Sequence, residues 1–171
     1  MALVNGLETD LVSINDRGLL YGDGLFETIL VHAGGPCLWR PHLERLERGA
    51  RRLDIPSPPR DLLLEECARL IGTDEPWVLK ILLTRGGGGR GYLAPARPLP
   101  TRVLMRYPVP EYPPAWQEHG VGVRFCQTRL GENPRLSGIK HLNRLEQVLA
   151  RSEWTDPQIA EGLMCDGRGR L

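Results

Sequence analysis

The sequence contains very little lysine. All but two of its 22 basic residues (Lys and Arg) are arginine, and the two exceptions are Lys80 and Lys140. The amine of lysine can lose its proton and attack a carbonyl carbon to form a Schiff base, whereas the guanidinium of arginine stays charged and cannot. A lysine kept in such a chain is therefore a candidate nucleophile, although composition alone favours a solvated side chain.

Other features are scarce as well, and each absence excludes a class of function. The 22 basic and 21 acidic residues leave a net charge of +1, so no strong field attracts nucleic acid or an anionic membrane. No apolar run approaches the roughly 20 residues that span a bilayer, and the first residues lack the pattern of a signal peptide. The four cysteines form no Cys-x-x-Cys pair and the four histidines show no metal-ligand spacing. A metal site is therefore not expected, and free thiols in a reducing cytoplasm fit best.

Hydrophobic periodicity predicts an α+β protein. Strands are predicted near 3–7, 12–14, 25–32, 77–84, 101–107, 120–128 and 159–164, and helices near 41–53, 60–71 and 141–152. Turns are predicted at Asn5-Gly6, 33–35 and 72–74, and a polar loop at 15–24. Strand 77–84 is so apolar that both of its faces are expected to be covered.

A proline-rich stretch divides the chain. It predicts an N-terminal domain over 1–107, a linker over 108–116 and the beginning of a second domain over 117–171.

Strand 77–84 runs into a glycine-rich loop, 85–92, which contains the pattern G-x-G-x-x-G. A dinucleotide-binding fingerprint needs a helix after these glycines, and a proline-rich stretch follows instead, so that interpretation is rejected. The loop carries Arg85, Arg90 and Tyr92, which are groups suited to binding carboxylates.

Several segments together resemble the fold-type IV pyridoxal-phosphate enzymes. These segments are Asp16-Arg17-Gly18, Tyr21–Thr28, His42–Leu46 and Lys140. The family includes branched-chain and D-amino-acid aminotransferases and 4-amino-4-deoxychorismate lyase. Two further segments, Arg85–Tyr92 and Ser137–Leu149, resemble the lyase branch in particular. The resemblance extends over the whole chain and implies that Lys140 is a functional residue.

The resemblance implies a fold and a set of site residues. The fold is a small N-terminal α/β domain followed by the start of a larger, β-barrel-like domain that binds pyridoxal 5′-phosphate. Lys140 would carry the cofactor as an aldimine, Arg45 would anchor its phosphate, and Thr28 would lie in the catalytic site near the lysine. Arg85, Arg90 and Tyr92 would lie near the substrate carboxylates, and Tyr21 would line the pocket.

The implied reaction is the release of pyruvate from 4-amino-4-deoxychorismate to leave 4-aminobenzoate, a folate precursor. The cofactor supplies an electron sink and the new ring is aromatic, so no metal or second cofactor is expected. The enzyme would be a cytoplasmic homodimer without nucleic-acid or membrane partners.

Two other functions remain open at this point. An aminotransferase of the same fold would share Lys140 and Arg45, and a non-catalytic binding module would use neither for chemistry. The family also continues well beyond Leu171 with further cofactor-binding residues. We therefore expect a longer protein, since a chain that truly ended at Leu171 would be a folded but inactive fragment.

Overall fold

The computed structural model describes residues 1–32, 35–71 and 75–171. They form two compact units, one of Met1–Val109 with Gly138–Leu142 and one of Pro110–Ser137 with Asn143–Leu171. Gly138–Leu142 thus groups with the first unit, although the sequence analysis assigned it to the second domain. The turns predicted at 33–35 and 72–74 lie partly or wholly outside the described residues.

A six-stranded sheet forms the first unit. Its strands are β1 (Ala2–Val4), β2 (Leu7–Glu8), β3 (Gly24–His32), β4 (Gly35–Pro36), β5 (Trp77–Thr84) and β6 (Thr101–Pro108). Their order is β2-β1-β6-β5-β3-β4, and every neighbouring pair is antiparallel. The long central strands β3 and β5 provide the frame on which the candidate site is built.

Two helices, α2 (Trp39–Leu53) and α3 (Arg60–Arg69), cover one face of this sheet. A shorter helix, α1 (Arg17–Tyr21), precedes β3, and its Gly18 lies against Thr84. The apolar stripe of α2 is buried, and a Cβ at Gly49 would lie 2.8 Å from Leu25 Cδ2, so this glycine permits close contact between α2 and β3. Each large apolar side chain buried in this layer contributes about 1.5–3 kcal/mol to folding.

The predicted α+β architecture is confirmed, and so is the Asn-Gly turn. Asn5 and Gly6 both have positive φ, 50° and 82°, and join β1 to β2. The strand predicted at 12–14 is wrong, because β2 is the return strand of the hairpin. The polar loop predicted at 15–24 is also partly wrong, since Asp16 accepts a hydrogen bond from Gly18 N at 2.8 Å and caps helix α1.

Among the described residues, strand β5 is buried on one face and partly exposed on the other. Trp77, Leu79, Ile81 and Leu83 are buried under the helices, whereas the alternate residues Val78, Lys80 and Leu82 are partly exposed. The expectation that both faces are buried is therefore wrong for the described chain.

The second unit is small. It contains α4 (Ala115–His119), β7 (Gly122–Phe125), α5 (Leu145–Arg151) and β8 (Ile159–Leu163), and β7 pairs with β8 in parallel. Cys126, Ala150 and Trp154 form its core. Helix α5 begins later than predicted, because residues 140–142 pair with the edge of β3 in an extended conformation.

Candidate functional site

Three consecutive residues of β3, Phe26, Glu27 and Thr28, form the centre of the candidate site. Successive side chains of a strand point to opposite faces of the sheet. Glu27 therefore points under the helices and is fully buried, whereas Phe26 and Thr28 share the other face, here called the open face. Three consecutive residues thus place side chains both in the buried layer under the helices and on the open face.

Lys140 lies on the open face because its segment pairs with the edge of β3. Phe26 N donates to Lys140 O at 2.9 Å, and Leu142 N donates to Gly24 O at 3.0 Å. Lys140 Nζ lies 4.4 Å from the centroid of the Phe26 ring. A cation at this distance is attracted by the negative face of the ring, so the predicted nucleophile has a defined position.

The second lysine of the chain lies beside the same ring. Lys80 is opposite Thr28 in the ladder between β3 and β5, and its Nζ lies 5.8 Å from the Phe26 centroid. Both lysines and Thr28 therefore lie around one aromatic residue. Lys80 was given no role from the sequence, although a single charged residue inside an apolar strand was a usable signal.

The carboxylate of Glu27 binds two side chains of α2. It accepts hydrogen bonds from Arg45 Nε at 2.8 Å and Arg45 Nη2 at 2.5 Å, and His42 Nδ1 lies 2.8 Å from its Oε2. The hydrogen bond with Glu27 raises the pKa of Arg45, because the carboxylate favours the charged guanidinium. The Arg45 side chain remains 39% exposed, so a guanidinium fixed along one edge still meets solvent.

The spacing of His42 and Arg45 explains this arrangement. Residues three apart on a helix share a face, so both side chains reach the same carboxylate on the strand below. Arg45 was identified by resemblance, but Glu27 was missed. The signal was an acidic residue on the strand face that it shares with the apolar residues Leu25 and Ile29.

Arg85 is turned into the protein. It is 7% exposed, and its guanidinium donates to both carboxylate oxygens of Asp23 and to the backbone carbonyls of Leu53 and Asp54. All three guanidinium nitrogens therefore have protein partners. This geometry favours a structural role for Arg85 over the predicted contact with a substrate carboxylate.

The other predicted substrate-binding residues lie together on or beside the glycine-rich loop. Tyr21 and Tyr92 form an edge-to-face pair with ring centroids 5.5 Å apart, and Tyr21 Oη accepts a hydrogen bond from Gly91 N at 3.3 Å. Tyr92 is 88% exposed and Arg90 is also exposed. These side chains are accessible to a ligand, in contrast to Arg85.

Neither a metal site nor a membrane span is found among the residues that the structure describes. Within 1–32, 35–71 and 75–171, no cluster of three or more His, Cys, Asp or Glu side chains could hold a metal ion. No helix in these ranges has the length and apolar character of a transmembrane span.

The family model described as amino-transferase class IV matches residues 24–171. Aminodeoxychorismate lyase of Vibrio harveyi is 39% identical over 163 residues, which cover 95% of this chain and 60% of that protein. D-Alanine aminotransferase of Staphylococcus aureus (strain MSSA476) is 31% identical over 144 residues, 82% of this chain and 50% of that protein.

A solved structure gives a similar result. The crystal structure of 4-amino-4-deoxychorismate lyase from Pseudomonas aeruginosa is 49% identical in sequence and superposes with a TM-score of 0.90. The match covers 98% of this chain and 62% of that one. The chain thus spans about 60% of the length of the lyases it matches, and it shares their mixed α/β fold with an antiparallel sheet.

Proposed function

The chain belongs to the amino-transferase class IV family, the fold-type IV enzymes. From this premise we propose that it is part of a pyridoxal-phosphate-dependent lyase. The reaction would convert 4-amino-4-deoxychorismate to 4-aminobenzoate and pyruvate. The activity is proposed for the whole protein, since the chain spans 60% of its Vibrio harveyi relative. The observation that carries the proposal is the placement of Lys140 and Arg45 by the neighbouring residues Phe26 and Glu27.

The residues present fit the cofactor chemically. Pyridoxal phosphate carries an aldehyde and a phosphate, which call for a primary amine and a guanidinium. Lys140 would hold the cofactor through Nζ, and Arg45 would bind its phosphate with the part of the guanidinium that Glu27 leaves exposed. Because Glu27 fixes Arg45 in advance, less side-chain freedom is lost when an anion binds.

Lys140 would also serve as the proton acceptor. When bound, the cofactor supplies an electron sink for the bonding electrons of the substrate. Lys140 Nζ would accept a proton from the substrate ring while the substrate is held at the cofactor. Loss of this proton would break the C–O bond between the ring and the enolpyruvyl group, and the ring would become aromatic. The departing enolate would become pyruvate by taking up a proton on carbon.

Thr28 is proposed to orient the lysine or the leaving oxygen. Its position on the open face, two residues from Phe26 and opposite Lys80, supports this role. A hydroxyl there could donate to the ether oxygen as charge develops on it.

An aminotransferase is the second candidate, and the likeness to D-alanine aminotransferase favours it. Such an enzyme would use Lys140 and Arg45 in the same way and return the amine to a keto acid.

The family resemblance also supports three further proposals: that the product 4-aminobenzoate is used to make folate, that the protein is a homodimer, and that it is cytoplasmic.

Product analysis separates the two candidates. The purified protein is loaded with pyridoxal phosphate and incubated with 4-amino-4-deoxychorismate, and 4-aminobenzoate and pyruvate are both quantified. The lyase proposal predicts equal amounts of the two products, and none with Lys140→Ala. Transfer of the amine from D-alanine or branched-chain amino acids without any 4-aminobenzoate would contradict it.

A further inference from the structure

Arg17 holds the far end of the glycine-rich loop. It is 3% exposed, and its guanidinium donates to the backbone carbonyls of Gly91 at 3.0 Å, Tyr92 at 3.1 Å and Leu93 at 3.4 Å. Burying a guanidinium is costly unless its donors are satisfied. The hydrogen bonds to these three carbonyls and to Asp23 therefore stabilise the buried guanidinium.

Asp23 connects Arg17 to Arg85. Its Oδ2 accepts a hydrogen bond from the Nε of each arginine at 2.8 Å, and its Oδ1 accepts from Arg85 Nη2 at 3.1 Å. Burial raises the pKa of Asp23, but hydrogen bonds and charges from Arg85 and Arg17 outweigh that effect and leave it below its usual value. The carboxylate thus stays charged at neutral pH and joins the loop to the end of α2.

A separate group of hydrogen bonds fixes the near end of the loop. Thr84 Oγ1 donates to buried Asp16 at 2.9 Å and accepts from Gly86 N at 3.0 Å, and Arg17 N donates to Gly86 O at 2.9 Å. Arg90 lies between these two attachment points and is exposed. The loop therefore has two fixed ends and an accessible middle.

We infer that Arg17 and Asp23 form a clasp that sets the position of the glycine-rich loop, and through it that of Arg90 and Tyr92 as substrate carboxylate-binding groups. The role toward substrate rests on the proposed function. Arg17 is a positioning residue here, because its guanidinium contacts the loop backbone. Tyr21 adds a weaker contact through its hydroxyl.

Arg17→Lys tests the clasp, because lysine keeps the charge but cannot reach three carbonyls and a carboxylate with a planar fork. Trypsin cleavage after Arg90 reports opening of the loop, since a protease needs a locally extended backbone. We expect cleavage to become about tenfold faster or more, the effect of losing one or two charge-assisted hydrogen bonds. We also expect KM for 4-amino-4-deoxychorismate to rise while kcat and pyridoxal-phosphate binding stay unchanged.

Arg40→Lys is the matched control, since Arg40 is exposed on α2 and pairs with Glu44 one turn along the same helix. It should alter neither cleavage nor KM. Unchanged cleavage in Arg17→Lys would overturn the clasp, and a freed loop with unchanged KM would overturn its role toward substrate. If Arg17→Lys is cleaved throughout the chain, Asp23→Asn decides, because it keeps the shape of the carboxylate but weakens its bond to Arg17. A smaller increase in cleavage after Arg90 is then expected, and no increase would contradict the inference. A wild-type protein without lyase activity would overturn the proposed function. The rate of trypsin cleavage after Arg90 would still test whether Arg17 and Asp23 fix the loop.

Discussion

The Glu27 carboxylate holds the Arg45 guanidinium through two parallel hydrogen bonds, of 2.8 and 2.5 Å. Glu27 is 0% exposed, whereas the Arg45 side chain is 39% exposed. A buried carboxylate therefore orients a guanidinium at the surface of the unit. The next residue toward the N-terminus, Phe26, contacts Lys140 on the other face of the sheet. Adjacent residues of one strand thus contact Arg45 and Lys140.

Removing this guanidinium should weaken binding of pyridoxal phosphate but not of pyridoxal, which lacks the phosphate. We expect Arg45→Gln to lower affinity for pyridoxal phosphate about 10- to 100-fold, because a charge-assisted hydrogen bond contributes roughly 1.5–3 kcal/mol. Glu27→Gln should act in the same direction by a smaller factor, since Arg45 keeps its charge but loses its orientation. Titration of cofactor absorbance measures both constants.

Arg48→Gln serves as the control, because Arg48 is exposed on the same helix. Equal losses of affinity for pyridoxal and pyridoxal phosphate in Arg45→Gln would contradict a phosphate-binding role.

The lowered pKa of Asp23 predicts an acid-sensitive contribution to stability. A carboxyl whose pKa is depressed by folding stabilises the protein above its unfolded value, here 3.8, and loses that effect as pH falls through the folded value. At about pH 6, Asp23→Asn should lower the free energy of unfolding by roughly 2 kcal/mol or more, since it breaks a buried ion pair. Urea unfolding from about pH 6 to about pH 3 should show this difference shrinking. A difference that stays constant over this range would refute the linkage.

Two glycines of the same loop should respond differently to alanine. Gly86 has φ +82°, and a Cβ there would lie 1.8 Å from Leu99 O, whereas a Cβ at Gly89 would meet nothing within 4 Å. Gly86→Ala should therefore destabilise the protein by at least about 2 kcal/mol, from backbone strain and a clash with main chain. Gly89→Ala should change stability by no more than about 0.5 kcal/mol. Thermal or urea unfolding of both variants measures the contrast, and similar effects would contradict the loop geometry.

Of the four cysteines, one should react quickly with a thiol reagent in the folded protein. Cys37 is exposed, whereas Cys67, Cys126 and Cys165 are buried. Burial also raises the pKa of the Cys67 thiol to about 11, which suppresses the reactive thiolate. Disulfide-exchange labelling at about pH 8 should give one fast thiol that Cys37→Ser removes. Fast labelling of Cys67 would show that its surroundings are more open than the structure indicates.

The sequence was sufficient to predict the parts of the fold that local patterns encode. The alternation along β3, the apolar stripe of α2 and the Asn5-Gly6 turn each follow from short-range rules. Family resemblance, rather than spacing, pointed to Lys140 and Arg45. Local patterns were therefore a good guide to elements and a poor guide to the site.

Long-range pairing accounts for what was missed. A helix was predicted from residue 141, but the backbone of Lys140 and Leu142 forms hydrogen bonds with β3 instead. The local sequence does not indicate that pairing. Arg85 was expected near the substrate carboxylates because of its place on the glycine-rich loop and the family resemblance, and in the structure Asp23 and two backbone carbonyls bind its guanidinium. Neither contact is visible until distant segments are placed side by side.

The central claim is that Lys140, rather than Lys80, holds the cofactor, and both amines lie beside the Phe26 ring. Reduction of the protein–pyridoxal-phosphate complex with borohydride, followed by peptide mass spectrometry, locates the attached lysine directly. We predict a phosphopyridoxyl group on Lys140 alone, and none in the Lys140→Ala variant. A label on Lys80, or a label that persists in Lys140→Ala, would contradict the account.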